Sequence, residues 1–91
     1  MLAICLAVLE SDGERAAFTA LYLRCEGLLL RIALGYFPND TDRAADAVQE
    51  SFLAAARNFS KLAELSEEKQ DGYLVVTVRN QCRNILRREK K

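Results

Sequence analysis

The chain has no histidine and no tryptophan. Without histidine, an imidazole base and a histidine-ligated metal are both excluded. One proline, Pro38, and four glycines are spread over 91 residues. So few turn-formers argue against a turn-rich all-β domain and for long helices. Three cysteines, Cys5, Cys25 and Cys82, are odd in number and lack CxxC spacing. Neither a disulfide framework nor a zinc site follows. Reduced thiols of a cytoplasmic protein are the plain reading. No apolar run reaches the ~20 residues that span a bilayer. The run Met1–Leu9 is apolar but short, without the basic start and cleavage site of a secretory signal. It is expected to pack on the domain as a short helix or strand.

Hydrophobic residues make up 51% of the chain, which excludes disorder on composition. The length suits one domain spanning residues 1–91. The formal charge is zero, but it is unevenly placed. Residues 1–71 hold 7 basic and 12 acidic side chains, a balance of −5. Residues 72–91 hold 6 basic side chains and one acid, Glu89, a balance of +5. A whole-chain pI of 6.3 conceals this basic tail.

Apolar spacing sets out three long helices. Ser11 and Asp12 cap the first. Phe18, Leu21, Tyr22, Cys25, Leu28, Leu29, Ile32 and Tyr36 then recur in helical steps. Gly27 inside this run marks a close contact or a break, and Gly35 to Asp40 ends the helix. The second helix opens near Asp40–Asp42 and stops near Phe59–Ser60. Its apolar line is Ala44, Val48, Phe52, Ala55 and Phe59, and Asp46, Gln49, Glu50 and Arg57 lie opposite. The acidic stretch Lys61–Gly72 reads as a loop with at most one helical turn. The third helix runs from near Asp71 toward Lys90. Tyr73 to Val78 is β-prone, but Leu74, Val75, Val78, Cys82, Ile85 and Leu86 form one continuous helical stripe. The expected fold is all-α, a small bundle of three to four helices.

Arg79, Arg83 and Arg87 are spaced by four and line one side of the third helix. Asn80 and Asn84 run beside them, and Arg88, Lys90 and Lys91 extend the basic end. Guanidinium and amide groups pair with phosphates and base edges. A basic helix C-terminus also complements the helix dipole, which accounts for Arg87 and Arg88 but not for Arg79 and Arg83. The helix is therefore a candidate nucleic-acid reader. Tyr73 at its start offers a ring for stacking an unpaired base. Asp46, Gln49 and Glu50, at i, i+3 and i+4, share one face of the second helix. Such a face is either merely solvated or an acidic docking patch. It is no catalytic dyad, because nothing apolar surrounds it and no nucleophile is paired with it.

These residues resemble a family. Asp46-Ala-Val-Gln-Glu-Ser-Phe52 resembles the D-x-x-Q-E-x-F signature of region 2 in bacterial RNA polymerase sigma factors. Tyr73 to Asn80, with Cys82, Ile85, Leu86, Arg87 and Arg88, resembles the later W-L-x-x-I-A-R-N-x-x-x-D-x-x-R-R signature. Phe18, Leu21 and Tyr22 resemble the F-x-x-L-Y entry. The likeness is best to the extracytoplasmic-function (ECF) class. It implies that Asp46, Gln49 and Glu50 dock on the beta-prime clamp helices of core RNA polymerase. It implies that Asn80, Arg83, Asn84, Arg87 and Arg88 face the promoter −10 element, and that loop 60–72 walls a pocket for a flipped non-template base. An anti-sigma factor is a further partner it admits. Ala45 stands where the family often has Glu, Tyr73 where it has Trp, Thr77 where it has an aliphatic residue, and Asn84 where it has Asp. No second, −35-reading (region 4) domain is expected in these 91 residues.

Two other readings compete. A helix-turn-helix regulator needs a three-to-four-residue turn, and the roughly twelve-residue link before the third helix opposes it. A helical protein-interaction module with a basic end is the other. No Walker loop, activated nucleophile or metal cluster is legible, so neither enzyme activity nor a cofactor is expected.

Overall fold

A computed structural model describes residues 2–89; Met1, Lys90 and Lys91 lie outside it. Five helices follow one another: α1 Leu2–Val8, α2 Asp12–Tyr36, α3 Thr41–Arg57, α4 Phe59–Leu62 and α5 Glu67–Glu89. No strand occurs among the described residues. The fold is all-α as expected, with three long helices and two short ones.

Each long helix begins at a side-chain cap. Ser11 accepts from the Glu14 amide at 3.1 Å and opens α2. Asp40 accepts from the Arg43 amide at 3.1 Å and opens α3. Ser66 accepts from the Lys69 amide at 3.3 Å ahead of α5. These oxygens satisfy amides that have no partner in the first helical turn.

Helices α2, α3 and α5 pack against one another, and α1 and α4 each pack on α2 and α3. The 25 residues of α2 extend about 37 Å and set the long axis of a body measuring 41 × 24 × 20 Å. An aromatic cluster joins α2, α3 and α4. Phe18 meets Phe52 edge-on at 6.2 Å and Phe59 at 5.5 Å. Tyr22 tilts against Phe52 at 4.6 Å. Such offset and edge contacts suit the ring quadrupoles and add to the gain from apolar burial. The Tyr22 hydroxyl donates to Glu26 at 2.5 Å. Burial first, and then the nearby carboxylate, push its pKa up to about 12.

The apolar line of α3 is buried as its spacing implied, together with Ala47 and Ser51. The fully buried Ser51 hydroxyl donates to the Ala47 carbonyl at 2.7 Å, so no polar atom is stranded. Residue Cys5 of α1 is buried, and the N-terminal run is a short helix packed on α2 and α3.

Four sequence expectations need correction. The stretch Lys61–Gly72 is mostly helical: α4 ends at Leu62, α5 starts at Glu67, and only residues 63–66 join them. Ser66 followed by Glu67 and Glu68 is a helix start, a cap with acids on the positive end of the dipole. Gln70 then clasps the connection, donating to the carbonyls of Leu62 at 3.2 Å and Leu65 at 3.0 Å. Second, α3 stops at Arg57, and Phe59 reaches the core from α4. Third, Gly27 neither breaks α2 nor makes a close contact: it is exposed, and a Cβ there would meet nothing within 4 Å. Fourth, Leu28 sits at the margin of the α2 stripe and is 38% exposed.

One ion-pair network ties α2 to α5. Arg24 of α2 donates to the Asp71 carboxylate from Nη2 at 2.8 Å and from Nε at 3.0 Å. Its Nη1 reaches Glu67 at 3.4 Å, and the Cys25 thiol donates to Asp71 at 3.2 Å. The Arg24 hydrogen bonds hold the Asp71 carboxyl below its usual range, against the opposing effect of burial.

Two outcomes are expected from this architecture. Gly27→Ala removes backbone freedom from the unfolded chain at no steric cost. It should stabilise the fold by about 1 kcal/mol, seen as a higher urea midpoint at unchanged slope. A carboxyl whose folded pKa is depressed stabilises the fold above its unfolded pKa, and that contribution fades as pH falls through the folded value. Unfolding free energies of wild type and Asp71→Asn should therefore differ at neutral pH and converge below about pH 4. A gap independent of pH would assign the stabilisation elsewhere.

Candidate nucleic-acid and docking surfaces

Residues Leu74, Val78, Cys82 and Ile85 are the buried side of α5. With about 100° per residue, that places Arg79, Arg83, Arg87, Asn80 and Asn84 on the opposite side. All five are exposed, and so is Arg88. Arg79 lies at the border with α2, and Arg88 at the border with α3. None of Arg79, Arg83, Arg87 and Arg88 has a carboxylate partner among the described residues. Lys90 and Lys91 of the basic tail lie outside the described residues.

The asparagines serve the arginines. Arg87 Nη2 donates to Asn84 Oδ1 at 2.9 Å, and Arg83 Nη1 reaches Asn80 Oδ1 at 3.4 Å. A neutral amide steers a guanidinium without cancelling its charge, whereas a carboxylate at residue 84 would pair with Arg87. Tyr73 is half-buried near the start of α5 and packs against the core edge. Thr77, at a place the resemblance gives to an aliphatic residue, donates its hydroxyl to the Tyr73 carbonyl at 2.7 Å. Its polar atom therefore costs little at a half-buried position.

On α3, Asp46 and Glu50 are exposed and Gln49 is half-buried. They share an open cleft of about 700 Å³ with Arg43, Gln81 and Arg88. The cleft runs between α3 and α5, so the acidic face and the basic face abut at Arg88. Arg43 bridges Asp40 and Glu89 at its rim. Arg43 and Gln81 were not singled out from the sequence. The signal for Arg43 was its spacing, three before Asp46 and seven before Glu50, on one helix face. Gln81 carried none, because its place in the cleft depends on how α5 crosses α3.

The supposed pocket wall, 60–72, is reshaped. Its ends belong to α4 and α5, and Asp71, part-exposed, is paired with Arg24. Much of the acidic charge there is thus spent on internal pairing and on the N-terminus of α5.

Among the described residues no group of three or more His, Cys, Asp or Glu is placed to hold a metal ion. No described helix is long and apolar enough to cross a membrane. The three cysteines are free and buried. Burial raises the pKa of all three thiols, and burial with the Asp71 contact takes Cys25 to about 12.

A family model described as Sigma-70 region 2 matches residues 21–91. The chain belongs to the sigma-70 region 2 family. Searches of curated proteins and of solved structures gave no significant match. The match takes in α3, α4, the described length of α5 and most of α2. The role of this sigma region 2 domain is promoter recognition as part of an RNA polymerase sigma factor. Its partners are core RNA polymerase and promoter DNA, and the family is a non-enzymatic one.

The buried thiols lead to a simple test. Ellman's reagent should modify Cys5, Cys25 and Cys82 only in step with unfolding, since the thiolate is the nucleophile and access is closed. Rapid modification of any of them in native buffer would contradict the packing.

Proposed function

We propose that the whole span 1–91 is one region 2 domain of the ECF class, using two adjoining surfaces. Asp46, Gln49 and Glu50 on α3 dock on the beta-prime clamp helices of core polymerase. Tyr73, Arg79, Asn80, Arg83, Asn84, Arg87 and Arg88 on α5 hold the opened non-template strand of the −10 element. An anti-sigma factor that covered the α3 face would block docking. The domain works beside the cytoplasmic polymerase.

The observation that carries this reading is the row of arginines along one side of α5; elsewhere only Arg31 and Arg57 also lack a carboxylate partner among the described residues. Arg15, Arg24 and Arg43 are paired with carboxylates inside the domain. The α5 arginines are exposed and have no such partner among the described residues. Like charges held in a row repel, and that arrangement is relieved by a polyanion.

The mechanism is opening by capture. Extruding a base costs a few kcal/mol in lost stacking and pairing. Cations that grip the released strand offset that cost and keep it from re-annealing. No covalent step is involved. Each phosphate contact displaces condensed counterions, so binding should weaken steeply with salt.

The experiment pairs two assays, association with core polymerase and binding of −10 single strands selected from a random pool. Arg83→Ala and Arg87→Ala should each weaken strand binding several-fold and lower the salt slope by about 0.7, with polymerase docking kept. Gln49→Ala and Glu50→Lys should lower docking about tenfold or more and spare strand binding. Equal damage to one assay by both sets, with helicity intact, would overturn the assignment of separate surfaces.

A further inference from the structure

The basic surface does not end at the edge of α5. A second open cleft, of about 380 Å³, lies between α2 and α5. Arg31, Ile32, Gly35 and Tyr36 line it from α2, and Arg79 lines it from α5. No carboxylate is among these lining residues. Of the three α2 arginines, Arg15 pairs with Asp12 and Arg24 with Asp71. Arg31 is exposed and has no acidic partner among the described residues, and the same holds for Arg79. Arg31 and Arg79 thus line one open cleft that has no carboxylate in its lining. Gly35 has no side chain, and a Cβ there would meet nothing within 4 Å. Beside it, Tyr36 is half-buried at the end of α2, packed against the core edge while contributing to the cleft wall.

We infer that this cleft holds one nucleotide of the same single strand that lies along α5, its phosphate between Arg31 and Arg79 and its base against Tyr36. The inference rests on the reading of α5 as the strand-binding helix, and Arg79 joins the two. The chemistry is that of a strand-binding groove: planar forks matched to phosphate oxygens, and an aromatic ring that accepts any base face. Two like charges beside one open cleft raise the local positive potential, which favours an anion such as a phosphodiester. The strand path then turns from α5 onto α2, and the bound length exceeds what α5 alone spans.

The test measures fluorescence anisotropy of the full chain with labelled oligothymidylate of about a dozen nucleotides across a salt series. Arg31→Ala should weaken binding several-fold and lower the salt slope by about 0.7, as Arg83→Ala does. Tyr36→Leu should weaken binding about fivefold or more, and Tyr36→Phe should restore it, because stacking needs the ring and not the hydroxyl. Core-polymerase association should be unchanged by Arg31→Ala. If Arg31→Ala leaves affinity and slope unaltered while Arg83→Ala lowers both, the α2 cleft is excluded and the α5 reading stands. If Arg83→Ala and Arg87→Ala are also without effect, the α5 reading falls and this inference with it. Loss of polymerase association with strand binding intact would overturn the proposal in favour of an acidic protein surface. Should Tyr36→Leu fail to fold, the exposed Arg31 decides the matter alone.

Discussion

The outward row of arginines depends on the burial of the opposite side of α5. Leu74, Val78, Cys82 and Ile85 have one low-energy place, the groove between α2 and α3. Once they occupy it, helical geometry turns Arg79, Arg83 and Arg87 to solvent. A charged group on the buried side would have to be neutralised or paired. The apolar side therefore positions the polar side, and the cationic face needs no separate device to present it. The same constraint operates on α3, where Ala44, Ala47, Val48, Ser51, Phe52 and Ala55 face inward and Asp46 and Glu50 are left outside.

Charge is sorted in a second way, by pairing. Arg24 is fastened to Asp71 and Glu67, and Arg43 to Asp40 and Glu89. These exposed pairs contribute modestly to stability. Their larger effect is on the field. They remove acids that would otherwise screen the basic surface, and they leave the cations at Arg31, Arg79, Arg83 and Arg87 unopposed by any partner carboxylate among the described residues. The two amides on α5 act in the same direction, since Asn80 and Asn84 orient their arginines and add no negative charge. A domain of zero formal charge can in this way present a strongly polarised exterior.

Which parts were legible in advance follows from whether the signal was local. The period of apolar residues and the caps at Ser11 and Asp40 are local, and α2, α3 and α5 were read from them. The Ser66-Glu67-Glu68 start of α5 was equally local. Acids in a polar stretch also fit a solvated loop, and only the cap at Ser66 distinguishes the two. Gly27 presents the opposite case. A glycine inside a helix has no local mark that separates a packing contact from an exposed position. Asp46, Gln49 and Glu50 were found on a shared face, but their cleft with Gln81 and Arg88 was not, since it lies between helices far apart in the chain.

The amino-acid sequence on its own determined the helical class, the inward and outward sides of each long helix, and the family, because each is carried by spacing along a single segment. Tertiary structure alone decided which charges cancel and which clefts form. The pairing of Arg24 with Asp71 and the sharing of one cleft by Arg31 and Arg79 depend on how α2 and α5 lie side by side. Neither is set by the spacing within a helix. Both follow from the crossing of two helices, which the fit of Leu74, Val78 and Cys82 against the aromatic-lined core selects.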